Sequence, residues 1–305
     1  MTLTRLPDAV SAALDAPMPG DRITVSAAAI SWSALTWGDP KARPLLLIHG
    51  VTSSAAVWWR VGPALAVTGR RVIAVDQAGH GRTGHWQGHH RFRDNAADIA
   101  AFIRAAGLDR PELQVVGHSW GAVTSAALPV AGIRPATTVL LDPPVLPFDR
   151  ISLEASDPSQ QPAVLLAEAA AAVRAAEPGW TDGDVQAKAE AVMELDFEAA
   201  RAVLLDNGDW DGGMADLRDP AANGLDVWLV RGDPASGGYV DDAAAAAFGE
   251  IIGSDHVLTI AGAPHSPQRT HPNETVACFL RASGRPEGCP QRPSAVPPRI
   301  ATARR

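Results

Sequence analysis

The stretch ELQVVGHSWG, residues 112–121, decides which fold this sequence predicts. The apolar run LQVV leads into the pentapeptide GHSWG, and a helical pattern, WGAVTSAALPVAG, opens at its tryptophan. A strand, a sharp turn and a helix in this order are the setting that a G-x-S-x-G pattern needs to expose its serine. The turn strains the backbone of Ser119, and the glycine on each side leaves room for the strand and the helix to approach closely.

Further short apolar runs of this kind flank the stretch on both sides, and each predicts a fully buried strand. Residues 91–108 lie between two of them and carry apolar residues at helical spacing before Gly107 ends the helix. The sequence therefore predicts an α/β protein whose mostly parallel sheet of about eight strands has helices on both faces, with an antiparallel hairpin at residues 23–37 as its edge. The predicted strands are 44–50, 71–76, 112–119, 137–142, 226–232 and 255–260.

One long segment interrupts this alternation. Residues 143–222 show an Ala/Glu-rich helical pattern and no strand, which predicts a helical cap over one edge of the sheet. The cap divides the core into residues 1–142 and 223–282. Residues 283–305 are rich in Pro and Arg without periodicity, and we expect a disordered tail there.

Composition excludes several classes of function. The 305 residues are 46% hydrophobic and 20% charged, which is typical of a globular protein, and the net charge of −8 opposes binding to nucleic acid or to an anionic membrane. Two cysteines, Cys278 and Cys289, make no disulfide framework. The N-terminal stretch lacks the apolar segment of a signal peptide, so we expect a cytoplasmic protein. The sequence leaves open whether the protein forms a homodimer.

Five short motifs follow one another along the chain. They are His49-Gly50, Asp76-Gln-Ala-Gly79-His80-Gly81-Arg-Thr83, the turn at Ser119, Gly232-Asp233-Pro234 and Gly262-Ala-Pro-His265-Ser266. In this order they resemble the motifs of the α/β-hydrolase superfamily, over roughly residues 23–282. The resemblance implies a hydrolase with a Ser–Asp–His triad and no cofactor, acting on a carboxylic ester or lactone through an acyl-enzyme. It leaves open C–C bond cleavage, thioester or amide hydrolysis and perhydrolysis, and also a non-catalytic protein that binds small ligands.

A serine hydroxyl needs an imidazole to accept its proton, and nine histidines are available. Reacting groups of a parallel sheet gather at the carboxyl ends of its strands. His265 follows the run 255–260 and is the predicted base. His256 lies at the start of that run, before its apolar residues, and therefore falls at the opposite edge. His271 begins the last helix, and His118 is expected to point away from the site as a structural residue.

Two aspartates compete to orient His265. Asp233 follows the run 226–232 and is the predicted acid, although Ala235 stands where the commoner family spacing, Gly-x-x-Asp, would place it. Asp142 ends the run 137–142 and is the alternative, because some members of the family take their acid from that strand. Asp241 and Asp242 are expected to cap a helix.

Hydrolysis of an ester passes through an oxyanion that needs two donors, and the backbone N–H groups of Val51 and Trp120 are predicted to supply them. Nine tryptophans form an unusually large share of the aromatic residues. We expect some of them to line a pocket for an apolar or aromatic acyl group of a small-molecule substrate. The candidates are Trp58, Trp59, Trp180 and Trp210.

A second glycine pattern is read as a loop. Gly79-His-Gly81-Arg-Thr-Gly84 has the spacing of a dinucleotide site, but no helix opens at its last glycine. His85, His89 and His90 have no carboxylate or cysteine at ligand spacing, which argues against a metal site. We therefore expect neither a cofactor nor a metal.

Overall fold

The computed structural model describes residues 5–84, 90–155 and 165–284. Ten strands are found in this part of the chain, eight of them in one sheet. They are β1 (Asp21–Ala27), β2 (Ile30–Trp37), β3 (Arg43–Ile48), β4 (Arg70–Val75), β5 (Gln114–His118), β6 (Thr137–Leu141), β7 (Val145–Leu146), β8 (Trp210–Asp211), β9 (Val227–Arg231) and β10 (Val257–Thr259).

Twelve α-helices accompany these strands in the described residues. They are α1 (Asp8–Asp15), α2 (Val61–Ala66), α3 (Phe92–Ala105), α4 (Trp120–Ala127), α5 (Phe148–Ala155), α6 (Leu166–Ala176), α7 (Asp182–Met193), α8 (Phe197–Leu205), α9 (Met214–Leu217), α10 (Asp242–Ile252), α11 (Pro267–Thr270) and α12 (Pro272–Ser283).

The large sheet has the strand order β1-β2-β4-β3-β5-β6-β9-β10. From β4 to β10 neighbouring strands run parallel, while β1 and β2 add an antiparallel hairpin at one edge. The predicted hairpin and the mostly parallel sheet of eight strands are confirmed. Because parallel strands share a direction, the turns that follow β3, β5, β6 and β9 meet at one edge of the sheet.

Both faces of the sheet are buried, which explains why its strands are continuous apolar runs. Along β3, Leu45 and Leu47 pack into one core cluster, and Leu46 and Ile48 pack into another on the opposite face. This alternation follows from the two-residue period of a strand. Helix α3 covers the second cluster and ends just before Gly107, whose φ is +67°.

The segment between β6 and β9 holds helices α5 to α9, as its helical pattern predicted, but the expectation that it contains no strand was wrong. Val145 pairs with Asp211 and Leu146 pairs with Trp210 in a small antiparallel sheet, β7-β8. Strands of two residues are too short to show any periodicity in the sequence. The pairing joins the two ends of the insertion close to the sheet.

Two expectations concern residues outside the described part of the chain. The predicted disordered tail, residues 283–305, lies outside it except for Ser283 and Gly284. His85 and His89 of the glycine-rich loop also lie outside it. Among the described residues no helix is both long enough and apolar enough to cross a membrane.

Candidate active site

Ser119 occupies a strained turn between β5 and α4. Its φ of +55° and ψ of −124° lie in a region that non-glycine residues rarely adopt. A Cβ at position 117 would come within 2.1 Å of the Gly121 carbonyl oxygen, and one at position 121 within 2.4 Å of the Ile48 carbonyl oxygen. Only glycine fits at these two positions, so the pattern around Ser119 is required by the close approach of strand and helix.

His265 contacts this serine from the loop after β10. Its Nε2 lies 3.0 Å from Ser119 Oγ, and its Nδ1 lies 2.7 Å from Oδ2 of Asp142. A ring whose Nδ1 faces a carboxylate carries its proton there, which leaves Nε2 free to accept the proton of the serine hydroxyl. The three side chains therefore form one continuous hydrogen-bonded relay.

Asp142 is held in place from several directions. It follows β6 with a φ of +43°, and its side chain is completely buried. Besides His265, the carboxylate accepts hydrogen bonds from the backbone N–H groups of Gly232 at 3.0 Å and Tyr239 at 2.9 Å. A buried carboxylate needs such partners to offset the loss of water. They also fix the orientation of the oxygen that faces the imidazole.

The structure does not bring Asp233, the predicted acid, to His265. Its carboxylate instead accepts hydrogen bonds from the N–H groups of Ala235 at 3.0 Å and Gly262 at 2.9 Å. These hydrogen bonds, that from Gly262 first, hold the pKa of Asp233 below its usual value. Asp233 caps the turn after β9 and ties it to the loop that carries His265, while the alternative acid, Asp142, makes the contact.

The two predicted oxyanion donors belong to residues next to Ser119: Trp120 follows it in the chain, and Val51 lines the same cavity. Trp120 is the first residue of α4, so its N–H has no acceptor within the helix. Val51 follows Gly50, where an added Cβ would lie 2.8 Å from the Cβ of Ser119. The next residue, Thr52, has a φ of +58°. Such strain costs about 1–3 kcal/mol and persists only where surrounding contacts impose it.

A cavity of about 150 Å³ opens at Ser119. Most of its wall is apolar, and much of that wall comes from the insertion between β6 and β9. The lining residues are Val51, Thr52, Ser119, Pro144, Leu146, Ile151, Leu204, Trp210, Tyr239 and His265.

Of the four tryptophans predicted for the pocket, only Trp210 lines this cavity. Trp58 is fully buried in the core cluster that also contains Leu45 and Leu47 of β3. Trp59 donates from Nε1 to Asp184 Oδ1 at 3.0 Å, and the ring of Trp180 stacks on the Arg269 guanidinium at 4.3 Å. The predictions for Trp58, Trp59 and Trp180 were wrong because sequence position alone does not fix where a tryptophan ring points.

Sequence reasoning missed Tyr239. Its ring stacks on the imidazole of His265, with centroids 3.9 Å apart and planes 19° apart. Its backbone N–H also binds Asp142. The available signal was weak: Tyr239 is the single tyrosine of the chain and falls in the loop after β9, at the edge where the site forms.

His118 lies closer to the site than expected. Its ring does not point away: Nε2 donates to the backbone carbonyl of His265 at 2.8 Å, with ring centroids 4.9 Å apart. Burial, followed by the neighbouring His265, lowers the pKa of His118 well below its usual value. A neutral ring that supports the His265 loop fits the structural role that was expected, by a different contact.

His256 and His271 lie where the sequence predicted them, at the start of a strand and at the start of the last helix. His256 stacks on Trp228 and lies 2.9 Å from the Val227 carbonyl, at the start of β9. His271 precedes α12, and its Nδ1 lies 2.9 Å from Thr270 Oγ1. Asp241 caps α10 by accepting the N–H of Ala244 at 2.7 Å.

The glycine-rich loop after β4 folds around a carboxylate. Asp76 accepts N–H groups from Ala55 at 2.7 Å and Arg82 at 3.3 Å, and a Cβ at Gly81 would lie 2.4 Å from its Oδ1. A buried carboxylate on the inner side of the turn disfavours a bound phosphate. Within the described ranges no group of three His, Cys, Asp or Glu side chains could hold a metal ion.

Comparisons with known proteins agree with this fold. The sequence model for the alpha/beta hydrolase fold matches residues 43–232. Lipase LipV of Mycobacterium tuberculosis (strain ATCC 25618 / H37Rv) is 30% identical over 262 residues, which cover 81% of this chain and 95% of the lipase. Epoxide hydrolase B of the same organism is 35% identical over 86 residues, which cover 28% of this chain and 24% of the epoxide hydrolase.

Among solved structures, that of E-2-(acetamidomethylene)succinate hydrolase superposes with a TM-score of 0.72 at 23% identity. The match covers 86% of this chain and 98% of that hydrolase. Its low identity makes it evidence for the fold alone. The family match and the lipase, taken with the sheet order and the serine turn, lead to one conclusion: the chain belongs to the α/β-hydrolase family.

Proposed function

We propose that this hydrolase cleaves carboxylic esters through an acyl-enzyme, with Ser119 as nucleophile, His265 as base and Asp142 as the acid that orients it. The observation that carries the proposal is the unbroken relay from Ser119 Oγ to His265 Nε2 at 3.0 Å and from His265 Nδ1 to Asp142 at 2.7 Å. Such a relay activates a hydroxyl that is otherwise a poor nucleophile.

Each half of the reaction uses this relay once. Ser119 Oγ attacks the ester carbonyl carbon while its proton passes to His265 Nε2, and the carbonyl oxygen becomes an oxyanion facing the N–H groups of Val51 and Trp120. When the C–O bond breaks, the alcohol leaves with the proton from Nε2. Water then attacks the acyl-enzyme, gives its proton to Nε2 and releases the carboxylic acid, after which Ser119 regains its hydrogen.

The cavity favours a short or aromatic acyl group. An apolar protein cavity of about 150 Å³ accommodates benzene, so one of this volume suits a benzoyl or short aliphatic acyl group better than a long fatty chain. Ester cleavage also agrees with the similarity to Lipase LipV, which the match covers over 95% of its length. A lactone presents the same carbonyl and is a second form of substrate for the same site.

The insertion at residues 143–222 serves as the cap of this site. It contributes Pro144, Leu146, Ile151, Leu204 and Trp210 to the cavity wall. Because these side chains face the position of an acyl group bound to Ser119, the cap sets which esters are accepted.

A panel of p-nitrophenyl esters tests the proposal: acetate, butyrate, hexanoate, decanoate and benzoate, with one lactone. We expect turnover of the short and aromatic esters, little turnover of the decanoate, and none by Ser119→Ala. A fluorophosphonate probe should label Ser119, as read by peptide mass spectrometry. Ester turnover that survives in Ser119→Ala, or a failure of the probe to label Ser119 in the wild-type protein, would refute the mechanism.

A further inference from the structure

A lysine from the insertion binds the loop beside Ser119. Lys188 lies on α7, and its Nζ donates to both the backbone carbonyl and the hydroxyl of Thr52, each at 2.7 Å. The two residues are 136 positions apart in the chain. Thr52 directly follows Val51, whose N–H is a proposed oxyanion donor, and it lines the cavity itself.

Thr52 needs support of this kind. It is β-branched and yet has a φ of +58°, a conformation that is strongly unfavourable for such a side chain. Charge-assisted hydrogen bonds are about twice as strong as neutral ones. Two of them from one ammonium group, to the carbonyl and to the side chain of the same residue, hold both the peptide plane and the rotamer of Thr52.

The helix that carries Lys188 is itself fixed to the segment after Thr52. One turn earlier on α7, the buried Asp184 accepts from Trp59 Nε1 at 3.0 Å and lies 3.9 Å from Arg60. A Cβ at Gly183 would lie 2.3 Å from the Trp59 ring, so helix and segment pack without a gap. Movement of α7 would therefore move Lys188 relative to Thr52.

Keeping a charge at this position is costly. Burial, then the nearby Arg269, lowers the pKa of Lys188 to about 7, while Glu177 acts in the opposite direction. An exposed lysine has a pKa near 10.4. The chain has two lysines, and the other, Lys41, is exposed on a loop between β2 and β3.

We propose that Lys188 is a positioning residue for ester hydrolysis: it holds the Val51–Thr52 loop so that the Val51 N–H points at the oxyanion, and it makes that geometry depend on the seating of the insertion. The inference rests on the proposed function. Lys188 touches no reacting atom, and its effect passes through Thr52.

The test compares Lys188→Met, Lys188→Arg and the matched control Lys41→Met. Kinetics on p-nitrophenyl butyrate are normalised to the Ser119 concentration titrated with a fluorophosphonate, so that misfolded protein is not counted. Loss of one oxyanion donor lowers kcat about 100- to 1000-fold, and a residue that positions a donor should cost about 10- to 100-fold. We expect that loss in kcat for Lys188→Met, with KM changed less than about threefold, because a transition-state contact is lost.

The controls separate positioning from stability. Lys188→Arg keeps the charge and the donors and should recover most of the activity, whereas Lys41→Met should match the wild type. If Lys188→Met does not fold, Lys188→Gln is measured in its place. An unchanged kcat per titrated site in Lys188→Met or Lys188→Gln would overturn the proposal.

A second readout does not depend on ester turnover. The fluorophosphonate oxygen occupies the oxyanion position, so the rate of Ser119 labelling should fall in Lys188→Met by a factor similar to that in kcat. If the wild type is labelled but hydrolyses no ester, this rate still tests Lys188, and equal rates in the two proteins would overturn the inference alone. Failure of the wild type to be labelled would overturn it together with the proposed function.

Discussion

At the scale of single residues, the site depends on backbone conformations that side chains normally avoid. Five non-glycine residues of the described chain have positive φ, and three of them, Thr52, Ser119 and Asp142, surround the cavity or the relay. Strain of this kind persists where neighbouring contacts outweigh it. Here those contacts are the Lys188 ammonium for Thr52 and the Gly232 and Tyr239 N–H groups for Asp142. Around Ser119 the flanking glycines allow strand and helix to pack closely enough to hold the turn.

The roles of the two aspartates can be separated by amidation. Asp142→Asn should lower kcat about 10⁴-fold, because an amide NH₂ facing Nδ1 favours the wrong tautomer of His265. Asp233→Asn should change kcat less than about tenfold, because asparagine caps a turn nearly as well as aspartate does. Initial rates on p-nitrophenyl butyrate measure both. A larger loss for Asp233→Asn would return the acid to that residue.

Tyr239 should assist the relay through its ring. The Tyr239 ring stacks on His265. An aromatic face against a cation is worth up to about 2 kcal/mol, and in the proposed mechanism His265 becomes an imidazolium while it holds the serine proton. Tyr239→Leu should therefore lower kcat/KM by about tenfold or more, whereas Tyr239→Phe, which keeps the stacked ring, should lose much less. Equal losses in the two variants would assign the effect to the hydroxyl group.

At the scale of elements, the insertion is tied down at several places. Strands β7 and β8 join its ends, and α7 is fixed by Asp184 and Lys188 to residues 52–60. Between these ties it places Ile151 on α5 and Leu204 on α8 over the cavity. The proposed control of substrate choice and the proposed support of the Val51–Thr52 loop therefore belong to the same segment.

Trp210, in β8, should limit the length of the acyl group. Trp210→Leu keeps an apolar side chain but frees volume, so turnover of the hexanoate and decanoate esters should rise relative to the butyrate. Trp180→Leu is the matched control, because that ring stacks on Arg269 and does not line the cavity. Ratios of kcat/KM along the ester series provide the measurement. An unchanged ratio in Trp210→Leu would contradict the assignment of that wall.

At the scale of the whole molecule, the sequence could predict the features that depend only on residues close together in the chain. The apolar runs and the turn at Ser119 predicted the parallel sheet and its hairpin, because burial on both faces and a tight strand-to-helix turn leave direct marks in neighbouring residues. It could also predict that His265 falls at the edge of the sheet where Ser119 lies. These features do not depend on which loops contact each other in the folded chain.

What the sequence could not predict depends on contacts between distant segments. Asp142 and Asp233 each follow a strand, β6 or β9, and these strands are neighbours, so their local signals are alike. The choice is made by which carboxylate faces His265 and receives the Gly232 and Tyr239 N–H groups. The contact between Lys188 and Thr52 and the directions of the tryptophan rings likewise depend on how distant segments pack.

The relay has a consequence for the newly made chain. His265 lies 146 positions beyond Ser119 and 123 beyond Asp142, and it follows the last strand of the sheet. During synthesis the serine turn leaves the ribosome long before His265, its proposed proton acceptor, does. With His265 as the proposed base, a nascent or prematurely ended chain carries the serine without the group that would activate it, and we expect activity only after nearly all of the sheet has been made.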